Sequence, residues 1–350
     1  MFSTAKTYLI KLYLKNFFIT LLGLEIFFLL IDFLQNQKNI PNSTNLTILY
    51  FYYQTFAALK ITLALSLIFG AIWSYLYLVR SNELTALESS GMSKREVIRP
   101  MFWTAAGIAI LYMFLGLTKA GYYYDDARAI LKNTKQSTRV GDLFFRYENE
   151  FIYIKSLNPL SKTAEDIKII GMEKNNVKYI IEAKTGAFEN DGWTLKNTKT
   201  MSINENATPP ITKQEQKEVR TLEGFKPKIL DNISQNNEGL NIVDAISAII
   251  LLQGQKLSIE KIKAALFSAL SLPLFAPFFI VVIGYFTPVA SRGFLYARYA
   301  AVWIFSTLCS WGVLITLSKL SYYGPIGSYA PMSATLALGV YAFYLFRRLR

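Results

Sequence analysis

Histidine is absent from this 350-residue sequence, and cysteine occurs only once, as Cys309. Without histidine the chain cannot build a Ser-His-Asp triad, and it lacks the commonest zinc ligand. One cysteine cannot close an intrachain disulfide or supply a cluster of thiolate metal ligands. The sequence also lacks a Gly-x-x-x-x-Gly-Lys motif, which excludes a P-loop nucleotide site. We therefore expect this chain to bind no metal and no cofactor of its own.

Charged residues are also scarce, at 17%, whereas roughly 25% is typical of soluble proteins. The hydrophobic residues, 52% of the chain, gather in runs of about 20, the length that a helix needs to cross a bilayer core. This distribution excludes a soluble enzyme and predicts six transmembrane helices. No small-x-small cleavage site follows the first run, so we expect a retained helix rather than a signal peptide. The predicted spans are Asn16–Leu34, Ile61–Val79, Met101–Leu117, Ala264–Phe286, Tyr299–Leu317 and Ala330–Phe346.

The distribution of lysine and arginine predicts the orientation of these spans. With a cytoplasmic N-terminus, the inner segments 1–15, 80–100, 287–298 and 347–350 carry twelve basic and three acidic residues. The short outer loops carry three basic residues: Lys38, Lys60 and Lys319. Because basic residues concentrate on the cytoplasmic side, we expect both termini to be cytoplasmic. The net charge of +13 then reflects orientation and attraction to anionic lipid, and we expect no nucleic-acid partner.

The residues between the third and fourth predicted spans have a different pattern, in which apolar and polar residues alternate. Short β-branched and aromatic segments, separated by Asn-, Asp- and Gly-rich turns, predict an all-β sandwich or jelly-roll on the outer side of the membrane. The predicted strands are 142–148, 150–155, 166–171, 177–183 and 192–196, with short helices at 122–135 and 241–252. Such a domain can bind another β domain at a sheet edge, hold acyl chains, or serve as a structural cap.

The predicted fold is therefore a polytopic α-helical membrane protein with an external β domain inserted between helices 3 and 4. The predicted parts are 1–121, which holds the first three spans, 122–255, which holds the β domain and its helical connectors, and 256–350, which holds the last three spans.

A short helix is predicted in the inner loop between the second and third spans. Ser81 or Asn82 can cap its start, Gly91 ends it, and Ser93 caps the next helix, with Glu96 completing a capping box. A rigid amphipathic helix between two spans suits the groove of a soluble partner, although a solvated turn would show the same pattern.

The same loop carries a family resemblance. The stretch Arg-Ser-Asn-Glu-Leu-Thr-Ala-Leu-Glu-Ser-Ser-Gly-Met-Ser at 80–93 resembles the signature of the LptF/LptG permeases, the membrane subunits of the ABC transporter that exports lipopolysaccharide. The likeness covers nearly the whole chain, with three spans, a β domain and three more spans. Tyr323-Gly-Pro-Ile-Gly, Ala330-Pro-Met and the end at Arg350 resemble LptG more than LptF.

The resemblance implies a non-catalytic subunit in the bacterial inner membrane, with its large domain in the periplasm. Its partners would be a second LptF/LptG-type permease, a dimeric LptB-like cytoplasmic ATPase that binds ATP and Mg, LptC-like and LptA-like periplasmic β proteins, and lipopolysaccharide. The loop at 81–92 would be the coupling helix that sits in a groove of the ATPase. Its docking residues would be Glu83, Leu84, Leu87, Glu88, Gly91 and Met92.

The resemblance also implies a lipid path between the first and fifth spans. Lys38, Lys60 and Lys319 are the bases available near the outer headgroups, although lysines at helix ends also snorkel without binding substrate. Where LptG relatives carry a lysine in the first span, this chain has Asp32, with Glu25 seven residues earlier on the same face. Asp32 would contact substrate of different local chemistry, pair with a base of the second subunit, or relay protons with Glu25.

Two other function classes fit a polytopic chain with an external β domain. A receptor or sensor would need a cytoplasmic output module, and the inner segments are too short for one. A membrane-embedded enzyme using Glu25, Asp32 or external acids would turn over its substrate without any ATPase.

Overall fold

A computed structural model of the chain describes residues 2–41, 43–118, 123–131, 140–147, 150–158, 162–173, 176–189, 192–203, 211–221, 242–253, 259–289 and 295–349. These residues belong to two compact units, one made of 1–127 with 260–350 and the other of 128–259. The helices are α1 Phe2–Asn36, α2 Thr44–Arg80, α3 Glu83–Ser89, α4 Lys94–Leu115, α5 Tyr123–Leu131, α6 Ile242–Gln253, α7 Glu260–Phe286, α8 Tyr296–Tyr323 and α9 Ala330–Arg348. The strands are β1 Val140–Tyr147, β2 Glu150–Asn158, β3 Thr163–Glu173, β4 Asn176–Glu189, β5 Gly192–Ile203 and β6 Ile211–Thr221.

Five helices of the described chain are long and apolar enough to cross a membrane, namely α1, α2, α4, α7 and α8. They contain the first five predicted spans, except that α4 ends at Leu115, two residues before the predicted end of the third span. The sixth predicted span coincides with α9, a helix of 19 residues that ends in Arg347 and Arg348 and is not among the five. The sixth crossing therefore stays a prediction.

Two of the spanning helices are longer than the hydrophobic runs indicate. Helix α1 begins at Phe2 and α2 at Thr44, so most of the segments predicted as an inner segment, 1–15, and an outer loop, 35–60, is helical. At 1.5 Å per residue, the 37 residues of α2 extend roughly 55 Å, well beyond a bilayer core of about 30 Å. Polar residues ended the predicted spans early, but no glycine or proline lies within 44–60 to end the helix itself.

The core of the helical unit lies around α2 and α7, whose central residues are buried on several sides. Two glycines allow neighbouring helices to come close. A Cβ atom on Gly70 would lie 2.8 Å from the Cα atom of Phe17, and one on Gly284 would lie 2.7 Å from the side chain of Ile98. Close approach at small residues is a common way for helices to pack in membranes.

The second unit contains one antiparallel sheet in which each described strand pairs with the next in sequence, in the order β1 to β6. All five predicted strands are present, and the observed strands are longer because their pairing extends past the apolar residues. Among the described strands there is no crossover, so the predicted jelly-roll connectivity is not confirmed. The buried side chains of the sheet include Leu143, Ile152, Ile154, Leu157, Ile167, Ile169, Trp193 and Leu195.

Strand β6 was not predicted, because Ile211–Thr221 is rich in lysine, glutamine and glutamate and lacks apolar alternation. It forms by pairing with β5, where Lys196 lies opposite Glu218 and Lys199 opposite Glu215. The corresponding ion pairs measure 3.9 Å and 3.3 Å. Opposite charges at facing positions favour such an exposed pairing.

Candidate functional site

The connector between α2 and α4, residues 81–93, holds the short helix α3 between two backbone reversals. Asn82 precedes α3 in the left-handed conformation at φ 59° and does not cap it with its side chain. Gly91 follows α3 at φ +89°, a conformation that glycine adopts most easily. The Ser93 hydroxyl accepts a hydrogen bond from the Glu96 amide, and the Glu96 carboxylate accepts one from the Ser93 amide. The predicted helix, its end at Gly91 and the capping box are confirmed, whereas the predicted cap at its start is wrong.

The six residues predicted to dock an ATPase differ in exposure. Leu84 and Met92 are each only 1% exposed and lie in the core of their own helical unit. Leu87 packs against that core, Glu83 and Glu88 are half-buried, and Gly91 is exposed. Leu84 and Met92 therefore stabilise the connector from within, and their direct contact with a partner stays a prediction. The exposed positions of the connector are Ser81, Asn82, Thr85, Ala86, Ser89, Ser90 and Gly91.

Three side chains tie this region to distant parts of the helical unit. The Tyr8 hydroxyl on α1 donates a hydrogen bond of 2.6 Å to the Glu83 carboxylate. The Thr85 hydroxyl donates one of 3.0 Å to the carbonyl of Val289, just after α7. The Lys94 ammonium donates to the carbonyl of Tyr285 at 2.6 Å and also to that of Thr287. Sequence reasoning missed all of these contacts, because partners 75 to 204 residues apart leave no local pattern.

The three lysines of the predicted lipid path are all exposed. Lys38 lies in the turn after α1, Lys60 lies within α2, and Lys319 lies near the end of α8. Their role in binding lipid stays a prediction.

The two acids of α1 both face α2. The carboxylate of Asp32 accepts hydrogen bonds from the Tyr50 hydroxyl and, at 3.0 Å, from the Asn36 amide. Glu25 is only 7% exposed, and one of its oxygens accepts a hydrogen bond from the Thr62 hydroxyl. Its other oxygen is buried and, within the described residues, has no hydrogen-bond partner. The shared face of the two acids thus belongs to an interface between helices of the same chain.

Further polar contacts continue this interface toward the start of α1. The Tyr13 hydroxyl donates to the Leu67 carbonyl at 3.1 Å, the Asn16 amide to the Ser74 hydroxyl at 2.9 Å, and the Thr20 hydroxyl to the Ser66 carbonyl at 3.1 Å. Side-chain hydrogen bonds are one of the main forces that hold helices together in lipid. We call this interface, from Tyr13–Leu67 to Asp32–Tyr50, the α1–α2 seam.

Away from the seam, α1 presents a broad apolar surface, and α8 presents another. The exposed apolar residues of α1 include Phe18, Ile19, Leu22, Ile26, Phe27 and Leu30, and those of α8 include Val302, Phe305, Leu308 and Val313. Such surfaces suit acyl chains or another membrane helix. Within the described residues, no three acidic or cysteine side chains are grouped as metal ligands.

The whole chain can also be compared with known proteins. The family model of the lipopolysaccharide export system permease LptF/LptG matches residues 7–348. The chain belongs to the LptF/LptG permease family. The predicted resemblance is therefore confirmed over nearly the entire length, while LptF and LptG are not distinguished by this match. No curated protein matches the chain. As an LptF/LptG permease, it is a multi-pass membrane protein of lipopolysaccharide export.

Proposed function

We propose that this permease is the LptG-type subunit of an ABC transporter that extracts lipopolysaccharide from the inner membrane and passes it to a periplasmic bridge. Membership of the LptF/LptG family supports lipopolysaccharide as the substrate. The sequence of the last hairpin, with Tyr323-Gly-Pro-Ile-Gly and Ala330-Pro-Met, favours LptG. The observation that carries the proposal is the connector at 81–93, in which the short helix α3 presents an exposed face of small side chains. A separate LptB-like ATPase dimer binds ATP and Mg and docks at this face.

The connector is suited to receive force because its buried side fixes it to the helical unit. Leu84 and Met92 anchor it in the core, and the hydrogen bonds of Glu83 and Thr85 fix it on two further sides. The exposed Ala86 and Ser89 leave room for a partner's groove. In this arrangement Leu87, Glu88 and Gly91 border the docking surface. The permease itself carries out no catalysis, and its energy comes from ATP hydrolysis by the partner.

A second LptF/LptG-type permease completes the lipid path. The apolar faces of α1 and α8 support this part of the proposal, because each chain offers a surface for acyl chains or for a neighbouring span. Lys38, Lys60 and Lys319 attract the phosphorylated sugars at the outer headgroup level, where cations are favoured by Coulomb attraction. Asp32 lies beside this path and is held by Tyr50. Both termini lie in the cytoplasm, with six crossings.

The β unit receives the lipid on the periplasmic side. Its described sheet has β1 and β6 at its two edges, and an open edge can pair with a strand of another protein. LptC-like and LptA-like β proteins are the partners that this edge suits. The edge pairing would continue the sheet into a bridge for the lipid.

Affinity purification from native membranes tests the proposal. We expect the chain to bring down an ABC ATPase and a second permease, and the complex in proteoliposomes to release lipopolysaccharide when ATP is added. Ala86→Trp places a large side chain on the exposed face of α3, so it should lose the ATPase while keeping the second permease. Asn45→Trp, at an exposed position near the start of α2, is the matched control and should behave as wild type.

Two results would contradict the proposal. A chain that purifies without any ATPase yet turns over a substrate would be a membrane enzyme. An Ala86→Trp complex that keeps its ATPase and exports at the wild-type rate would place the docking surface elsewhere.

A further inference from the structure

We propose that Lys94 is a positioning residue that makes the end of α7 follow the movement of α3, so that ATP-driven motion enters the membrane through α7. The inference rests on the proposed function, because it requires an ATPase that moves α3. We call the hydrogen bonds from Lys94 and Thr85 to the carbonyls of Tyr285, Thr287 and Val289 the α3–α7 link.

The first part of the link is a cation placed at a helix end. The last carbonyls of a helix have no partner within it and carry partial negative charge, so a cation there is favoured. Helix α7 ends at Phe286, and the half-buried Lys94 donates to the carbonyls of Tyr285 and Thr287 on either side of that end. Hydrogen bonds from a charged donor are stronger than those between neutral groups. Lys94 is also the first residue of α4, directly after the connector.

The second part of the link begins on α3 itself. The Thr85 hydroxyl donates to the Val289 carbonyl at 3.0 Å, so α3 and the first residue of α4 hold the same short segment, 285–289. Two points of attachment restrain rotation as well as translation. A single hydrogen bond would act as a pivot.

Tight packing beside the link limits the movement of α7 relative to α2 and α4. A Cβ atom on Gly284 would lie 2.5 Å from the Tyr75 hydroxyl on α2 and 2.7 Å from Ile98 on α4. The end of α7 therefore touches α2 and α4 closely, one residue before the carbonyl that Lys94 holds. Packed interiors of this density transmit displacement rather than absorb it.

The competing route from α3 runs to α1 through the Tyr8–Glu83 hydrogen bond. Tyr8 is 40% exposed and Thr85 is exposed as well, so water competes for the hydrogen bonds of both, whereas Lys94 is half-buried. The route to α1 has this one hydrogen bond, whereas the end of α7 receives one from Thr85 on α3 and two from Lys94, directly after the connector. The contacts of the described residues therefore favour α7 as the first membrane helix to respond.

The test uses the full transporter complex in proteoliposomes and measures lipopolysaccharide released per ATP hydrolysed. Lys94→Met removes the charge and should keep the ATPase bound and active while release per ATP falls about tenfold. Lys94→Arg should restore most of the ratio, and Thr85→Val should lower it less. Arg95→Met is the matched control, since the Arg95 guanidinium lies 4.6 Å from the centre of the Phe346 ring on α9, and it should keep the wild-type ratio.

A second measurement distinguishes transmission of movement from α3 to α7 from a simple loss of stability of the complex. Spin labels at Ser81, which begins the connector and is not one of the docking residues, and at Phe286, both exposed, in a Cys309→Ser background should keep one distance in the nucleotide-free and vanadate-trapped states of the parent complex. In Lys94→Met that distance should change on trapping.

Each outcome decides for or against the inference. An unchanged ratio and an unchanged distance in Lys94→Met overturn the inference, as does loss of the ATPase from that variant, which would make Lys94 part of the docking surface. A parent complex that neither hydrolyses ATP nor exports overturns the proposed function and this inference together.

Discussion

The Tyr50 hydroxyl on α2 donates a hydrogen bond to the Asp32 carboxylate on α1. Asp32 was predicted to contact substrate, pair across the two permeases or relay protons. In the structure the same carboxylate also accepts from Asn36, so two of its acceptor positions are used within its own chain. Asp32 therefore stabilises the end of the α1–α2 seam that is farther along α1.

Tyr50→Phe and Asp32→Ala should not have independent effects. Each removes the same hydrogen bond, so the double variant should lose less stability than the sum of the two single variants. We expect a coupling energy of about 1 kcal/mol from thermal unfolding in detergent. Additive losses would show that Asp32 and Tyr50 act separately.

Gly70→Ala should force α1 away from α2. The added Cβ atom would lie 2.8 Å from the Phe17 Cα atom, and backbone cannot move aside as a flexible side chain can. We expect a loss of about 1–3 kcal/mol in the free energy of unfolding. Gly107→Ala in α4 is the matched control, because nothing lies within 4 Å of its added methyl group. Equal effects at the two glycines would contradict the close contact.

Thr62→Val should destabilise the seam at a buried contact. The substitution keeps the shape of the side chain but leaves the Glu25 carboxyl without its only hydrogen-bond donor in the described residues. The expected loss is about 1–3 kcal/mol, the usual range for a buried polar group left unpaired. Thr62→Ser keeps the hydroxyl and should lose less. Equal losses of stability in Thr62→Val and Thr62→Ser would show that the hydrogen bond to Glu25 contributes nothing.

Gly91→Ala should weaken ATPase binding without unfolding the protein. Its φ of +89° is strained for any residue with a Cβ atom, although open space surrounds the position. We expect the strain of about 1 kcal/mol to shift α3 and lower co-purification of the ATPase. Asparagine tolerates left-handed conformations better than alanine does, so Gly91→Asn should be the milder variant. Greater loss with asparagine would point to direct contact of Gly91 with the partner instead.

The local features of the fold could be predicted from the sequence because each depends on neighbours along the chain. The five spans follow from composition, the capping box at Ser93 and Glu96 from a four-residue pattern, and five strands from alternation. Strand β6 could not be predicted, since its polar residues pair only when β5 lies beside them. The ends of α1 and α2 could not be predicted either, because a hydrophobic run indicates the part of a helix that suits the bilayer and not the limits of the helix.

The sequence predicted which segment forms the candidate site but not which of its side chains form the exposed surface. The signature at 80–93 identifies the connector and the family, yet it does not tell which of Leu84, Leu87 and Met92 face inward. Which of these side chains face inward depends on how α3 packs against the core. The same holds for Asp32, whose partner Tyr50 lies 18 residues away on another helix.

The sequence by itself determined that this is a membrane permease with an inserted β domain, since hydrophobicity, alternation and a short motif are properties of adjacent residues. Only the tertiary structure decided that Leu84 is buried, that the acids of α1 serve the seam, and that Lys94 meets the end of α7. Those contacts join residues far apart in the chain, and their geometry is fixed by packing, which no local pattern encodes.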